Sequence, residues 1–120
     1  MRLTIRSVAD KGNTEKERLV LKVDSNTDIG DYILIQAGFY DNSVTTEIHH
    51  TYWFPNKEVE TGDLVVVYTK SGRENQKEMK NGHNAHFFYW GITTSIWSRD
   101  DRAPVLFHAP DWISKDPNDL

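Results

Sequence analysis

Short stretches of alternating apolar and polar residues recur along most of the chain. Leu3 and Ile5 alternate with polar neighbours, and Leu19, Leu21 and Val23 repeat the pattern. A period of two residues is typical of a strand that has one face in a core. Together with short apolar runs between turn residues, this pattern predicts strands at 2–6, 18–23, 32–39, 48–54, 64–69, 85–90, 92–97 and 103–108.

Seven or eight short strands at this spacing indicate an all-β sandwich or barrel. The run 64–69 is apolar on both faces, so we expect it to be a central strand that is covered on two sides. Aromatic side chains bury a large area each. We therefore expect three of the four tryptophans to fill the core, namely Trp53, Trp90 and Trp97.

The run 85–90 carries aromatic side chains on both of its faces. Phe87 and Tyr89 point one way, and Phe88 and Trp90 point the other. Because each sheet of a small sandwich has one interior face, we expect one pair to lie outside, where it would mark a partner surface. The alternative is that a neighbouring loop or the tail around Trp112 covers it.

A long polar segment, 70–84, interrupts the regular spacing of strands. Its cations outnumber its two glutamates, so it is locally basic; they are Lys70, Arg73, Lys77 and Lys80. Connections of this length are uncommon unless they are functional or disordered. We interpret the segment as a mobile loop.

Five segments, in order along the chain, carry the motifs of one known family. They are 17–23 (ERLVLKV), 29–34 (IGDYIL), 53–55 (WFP), 61–68 (TGDLVVVY) and 96–106 (IWSRDDRAPVL). Between residues 3 and 112 the chain thus resembles the lamin-tail domain, which occurs in nuclear intermediate filaments and in many bacterial proteins. The resemblance implies an antiparallel, immunoglobulin-like β-sandwich of about seven to eight strands that serves as an interaction module and has no shared active site.

The length of 120 residues suits one domain. We predict a single sandwich over 1–113 and an acidic tail, 114–120, that frays. No apolar run approaches the ~20 residues of a membrane span, so no membrane association is expected. The N-terminus lacks the apolar stretch of a signal peptide, and the cytoplasm is the default location if the chain is complete.

Composition narrows the possible chemistry. The absence of cysteine excludes disulfides and cysteine-based metal sites. A net charge of −4 argues against general binding of nucleic acid, although it leaves room for a local basic patch. The stretch 98–102 contains Asp100 and Asp101 between arginines, and we interpret it as a polar turn with neutralised carboxylates and not as a calcium site.

Only one histidine spacing suggests a metal site. His83 and His86 are separated by two residues, and His49 or His50 would have to supply a third ligand. Adjacent residues of a strand point to opposite faces, so only one of the latter pair could join. Surface histidines without a ligand role are far more common, and we predict neither a metal nor a cofactor.

No catalytic constellation is visible. The chain has no Gly-x-Ser-x-Gly elbow, no cysteine nucleophile and no phosphate-cradling glycine loop. We therefore predict that the protein is not an enzyme.

The sequence favours a non-catalytic module for protein interaction or assembly, with an unidentified protein or a second copy as its partner. The residues expected at its surface are Lys70, Arg73, Lys77, Lys80, Tyr89 and Trp90. Three alternatives remain open: nucleic-acid binding through the basic 70–84 segment, carbohydrate binding on an exposed aromatic platform, and a small histidine-based metal-binding protein.

Overall fold

A computed structural model describes residues 1–120. The chain forms ten strands and two 3-10 turns, the latter at Ile29–Asp31 and Pro117–Asp119. The strands are β1 (Leu3–Ala9), β2 (Arg18–Val23), β3 (Thr27–Asp28), β4 (Tyr32–Tyr40), β5 (Ser43–Trp53), β6 (Glu58–Val59), β7 (Leu64–Tyr68), β8 (Asn75–Glu78), β9 (Asn84–Tyr89) and β10 (Arg102–His108).

Two sheets pack face to face around one core. One sheet has the order β1-β2-β7-β9-β8, the other has the order β10-β4-β5, and β3 and β6 form a small separate ribbon. The core has fourteen buried apolar residues, of which nine come from these two sheets and five from the segments that connect their strands. The predicted all-β sandwich is confirmed, and seven of the eight predicted strands are present, as β1, β2, β4, β5, β7, β9 and β10.

Strand β7 lies in the middle of the five-stranded sheet, as its two apolar faces predicted. Val65 and Val67 point into the core, whereas Leu64 and Val66 line the opposite face. Its partner β9 runs parallel to it, and the other strand pairs are antiparallel. A parallel pair needs a long crossover connection. The polar segment between β7 and β9 provides that connection.

That segment is not simply a loop, and here the prediction was wrong. Asn75–Glu78 forms the edge strand β8, which pairs with β9, and Met79 N–H donates to the carbonyl of His83 at 2.7 Å to close the turn. The four residues of β8 are all exposed. An edge strand with polar side chains on both faces shows no alternation, so no sequence pattern revealed it.

The predicted strand at 92–97 is also absent. The segment is irregular, yet it buries Ile96 and Trp97 in the core. The Ile92 N–H donates to the Thr69 carbonyl just after β7, but the N–H groups of Ile96 and Trp97 donate to a carboxylate and not to a neighbouring strand.

That carboxylate belongs to Glu17, which is fully buried. It accepts hydrogen bonds from the N–H groups of Gly12, Ile96 and Trp97 at 3.0, 2.8 and 3.1 Å, and from the Thr69 hydroxyl at 2.6 Å. Burial by itself raises the pKa of Glu17. The four hydrogen-bond donors together lower the pKa by a larger amount, so it lies below its ordinary value. Glu17 therefore links a turn, the end of β7 and the 92–97 segment.

The tryptophans divide between core and surface. Trp97 is in the core as predicted, and Trp90 is partly buried against it. Trp53 was wrongly assigned to the core. It is 49% exposed on the outer side of β5, because β5 turns Tyr52, and not Trp53, towards the core.

Candidate functional site: two outer sheet faces

The outer face of the five-stranded sheet, here called the basic face, carries a strip of three aromatic rings. Tyr68 and Tyr89 stack with their ring centroids 5.3 Å apart, and Phe87 lies 6.3 Å from Tyr68. The parallel register places Tyr68 beside Tyr89 and Val66 beside Phe87. Phe87 and Tyr89 are therefore the outward pair of β9, and Phe88 is in the core.

A cleft of about 660 Å³ lies beside this aromatic strip. Its floor is apolar and comes from strands β2, β7 and β9: Val20, Leu64, Val66, Ala85 and Phe87. Four cations stand around it, with Arg6 and Arg18 at one side and Lys77 and Lys80 at the other. The long stems of lysine and arginine cover apolar surface while their charged ends stay in water.

Three of the four cations around the cleft have no carboxylate partner. Arg18 bonds to Asp10 at 2.6 Å. Arg6, Lys77 and Lys80 take part in none of the ion pairs of the structure. The cleft thus has a local excess of cations although the net charge of the protein is −4, and Glu78 is the one carboxylate among its lining residues.

The structure brings some of the predicted surface residues together and separates others. Lys77 and Lys80 line the cleft, and Lys70 lies 5.3 Å from the Tyr68 ring, next to Tyr89 in the aromatic strip. Trp90 packs against the core and donates to the Thr51 carbonyl at 3.2 Å, so it is not part of the basic face. The sixth residue, Arg73, is exposed in the connection before β8.

The outer face of the three-stranded sheet, here called the apolar face, is different. Its outward positions alternate with the core residues Tyr32 and Leu34 of β4 and follow the register of β5 and β10. None of them is charged; they are Ile33, Ile35, Ala37, Phe39, Val44, Ile48, Thr51, Trp53, Ala103, Val105 and Phe107.

Several large side chains on the apolar face are open to solvent. Val44, Ile48 and Phe107 are 48%, 56% and 44% exposed, and Trp53 is similarly exposed. The C-terminal segment extends the patch, because the Trp112 ring meets the Trp53 ring edge-on at 5.1 Å. An exposed, contiguous apolar patch of this kind is typical of an interaction site.

This surface was not predicted, although its signal is present in the sequence. Ile33, Ile35, Ala37 and Phe39 alternate with the equally apolar Tyr32 and Leu34. When both faces of a strand are apolar, the period of two residues shows which residues share a face but not which face is buried.

The histidines proposed as metal ligands do not converge. His86 is buried, and its Nε2 lies 2.8 Å from Asp63 Oδ2, whereas His83 covers Gly62 and His49 lies on β5. No group of three His, Cys, Asp or Glu side chains is placed to hold a metal ion.

Asp63 has a structural role at this end of the sheet. Burial by itself raises the pKa of Asp63. The N–H of Asn84, the His86 ring and the N–H of Glu60 together lower the pKa by a larger amount, so it lies below its ordinary value. The other His86 nitrogen, Nδ1, has no hydrogen-bond partner. No hydroxyl or thiol group is therefore bonded to His86, and the Asp63–His86 pair has no nucleophile to activate.

The prediction that the adjacent residues His49 and His50 point to opposite faces of the strand was wrong. Gln36 pairs with His50 and Ala37 pairs with Ile48, so His49 is the extra residue of a β-bulge. A bulge re-aims a side chain and breaks the strict alternation of a strand. As a result both histidines, and not one, line the same small polar pocket.

No family model and no curated protein matches the chain. The resemblance to the lamin-tail domain therefore stays a prediction. None of the helical segments has the length and apolar character needed to cross a bilayer.

Proposed function

We propose that this protein is a non-catalytic, lamin-tail-like assembly module of the immunoglobulin-like type, in which the apolar face of one copy pairs with that of a second copy. The observation that carries the proposal is the uncharged, solvent-open apolar face. Its exposed large side chains would each gain free energy by leaving water, at about 25 cal/mol per Å² of apolar surface.

The absence of charge favours a second copy as the occupant. A two-fold interface brings the same patch of both subunits together, so the patch must complement itself. Charged patches of one sign repel their own copy, but an apolar patch does not. The four cations around the cleft make the basic face unsuited to such pairing, which leaves the apolar face as the self-complementary surface.

The size of the face limits the affinity. Seven residue positions along three strands cover roughly 24 Å by 14 Å at the usual strand spacings. A standard interface buries about 800 Å² on each partner, so the sheet alone is small and Trp112 must contribute. We therefore expect a weak dimer with a Kd in the micromolar range, at about 1–100 μM.

The test is the mass in solution, measured by light scattering over a wide range of protein concentration. The wild type should shift from monomer to dimer, and Ile48→Glu, which places a charge on the most exposed large apolar strand residue of the face, should remain monomeric. Tyr40→Glu is the matched control, since Tyr40 is 79% exposed on β4 but is not one of the outward positions of the face. A wild type that is monomeric at millimolar concentration, or an Ile48→Glu variant that still dimerises, contradicts the proposal.

A second candidate function is binding of single-stranded nucleic acid on the basic face. It is supported by the three unpaired cations beside the aromatic strip of Tyr68, Phe87 and Tyr89, because cations that track the backbone and rings that stack on bases are the usual means of such binding. Neutralisation of three phosphates predicts that log K falls with log salt at a slope of about −2. Binding that is absent, or that Lys77→Gln with Lys80→Gln leaves unchanged, removes this candidate.

A further inference from the structure

We propose that the polar pocket between β5 and the start of β10 binds a phosphate group, either as the free ion or as a monoester. The pocket has a volume of about 250 Å³, which suits one small oxyanion. Ile96 is its only apolar lining residue, and its charged or titratable lining residues are His49, His50, Arg99 and Arg102. This inference is independent of the proposed assembly, because the pocket is not on either outer sheet face.

The pocket is lined by side chains of the types that bind phosphate. Guanidinium groups present several N–H donors in a fixed plane and bind phosphate oxygens two at a time. Arg102 is mostly buried, with 16% of its side chain exposed, so its guanidinium is held near the wall of the pocket. The side chains of Thr94 and Ser95 add hydroxyl groups to the lining.

The local structure holds the pocket in shape. The bulge at His49 turns two imidazoles to the same side of β5. Two buried side chains fix Ile96 in the opposite wall: the Gln36 amide donates to the Ile96 carbonyl, and Glu17 accepts from the Ile96 N–H. A residue held at both backbone groups costs little ordering entropy when a ligand binds beside it.

The charges around the pocket make binding depend on pH. Asp101 bonds to Arg99 at 2.8 and 2.6 Å and lies 3.2 Å from Arg102, and Asp100 is next to it in the turn. From β5, Glu47 lies 3.5 Å from His49. β4 contributes only the neutral Gln36 to the lining. The three carboxylates, all outside the lining, thus offset the two arginines, and the histidines decide the sign of the local charge.

Protonation of the histidines should therefore strengthen binding. Burial lowers the pKa of His50, and the neighbouring His49 and Arg102 lower it further. A bound anion offsets these last two effects and stabilises the protonated imidazole. Histidine protonation should accordingly tighten binding as the pH falls; phosphate itself loses negative charge over the same range, which opposes this effect, and we expect the histidine contribution to be the larger.

The experiment is an NMR titration of the histidine side chains with inorganic phosphate at pH 6.0 and pH 7.5, with O-phosphoserine as a second arm. We expect saturable shifts of His49 and His50, a Kd on the order of 1 mM at the lower pH, and at least threefold weaker binding at the higher pH. Tighter binding of O-phosphoserine than of phosphate assigns the site to a monoester, and equal or weaker binding assigns it to the free ion.

Two variants and one control make the result specific. Arg102→Gln should weaken binding about tenfold or more, as expected for loss of a charge-assisted contact, and His50→Gln should abolish most of the pH dependence without relying on the fold of the first variant. Lys115→Gln removes an exposed cation that lies outside the pocket and outside both outer faces, and it should change nothing. Absent saturation at His49 and His50, or equal weakening by Lys115→Gln and Arg102→Gln, overturns the proposal.

Discussion

The two outer faces of the sandwich differ in whether charged side chains surround their apolar residues. On the basic face, the stems of Arg18 and Lys77 border an apolar cleft and keep charged groups in solvent. On the apolar face, no outward position is charged, and Ile48 and Phe107 stand open. Both faces contain large apolar side chains, so hydrophobicity alone does not distinguish them. The difference is the four cations around the cleft, which keep charged groups in solvent on the basic face, whereas the outward positions of the apolar face carry no charge.

We expect the largest difference in the free energy of unfolding between an inward-facing and an outward-facing side chain of β9. Phe88→Ala removes a fully buried ring and should lower the free energy of unfolding by about 3–5 kcal/mol. Phe87→Ala, one position away on the basic face, should lower it by about 1 kcal/mol, because the site stays in contact with water. Denaturant unfolding of both variants checks the assignment, and similar losses would place the basic face inside the protein.

The next effect should couple the two sheets. Glu17→Gln replaces the carboxylate that accepts four hydrogen bonds with an amide that has only one accepting oxygen, and we expect a loss of about 2–4 kcal/mol. Glu17 joins the end of β7 to the 92–97 segment, and that segment is bonded in turn to Gln36 of β4 in the three-stranded sheet. Both sheets should therefore unfold together. Hydrogen exchange that rises in only one sheet would show that the sheets are separate cooperative units.

Acid should weaken the same buried contacts. The pKa values of Glu17 and Asp63 lie below their ordinary values of 4.5 and 3.8. A lowered folded-state pKa stabilises the protein above the unfolded pKa, and this contribution is lost as the pH falls through the folded pKa. Stability should therefore decline below about pH 5, and Glu17→Gln should flatten the decline. An unchanged slope in that variant contradicts this role.

A smaller effect should distinguish the two faces directly. Trp53→Ala and Tyr89→Ala each remove an outward aromatic side chain, and each should lower the free energy of unfolding of the monomer by about 0.5–1.5 kcal/mol. Only Trp53→Ala should weaken association measured by light scattering. Loss of the dimer in Tyr89→Ala would instead assign assembly to the basic face.

The smallest effect concerns the paired cation of the basic face. Arg18→Gln breaks the 2.6 Å contact with Asp10, but both side chains are partly exposed. Solvent screening limits such a pair to about 0–1 kcal/mol. Thermal unfolding should show a change within that range, and a larger loss would mean that the stem of Arg18 is an essential cover for the cleft.

Much of the fold was predictable, and the exceptions share a cause. The alternation at 18–23 and the doubly apolar run at 64–69 predicted a strand and a central strand, since burial of a strand leaves a local pattern. β8 left none, because both of its faces are solvated. The segment 92–97 was apolar enough to suggest a strand, but Glu17, distant in sequence, takes its backbone donors.

The candidate sites were less predictable than the fold. Lys77, Lys80 and Tyr89 were identified as surface residues, and they lie on the basic face. The apolar face was missed, because Tyr32 and Leu34 are as apolar as Ile33 and Ile35. The shared orientation of His49 and His50 was also missed, since a bulge arises from the register between two strands and not from the sequence of either one.

By itself, the sequence determined where strands form and which residues share a side of each strand, because side-chain alternation is a property of the local backbone. Only the tertiary structure decided which side faces the core, which strands are neighbours, and which cations lack a partner. Those outcomes depend on contacts between residues far apart in the chain, such as Glu17 with Ile96 and Asp63 with His86, and no local pattern encodes such contacts.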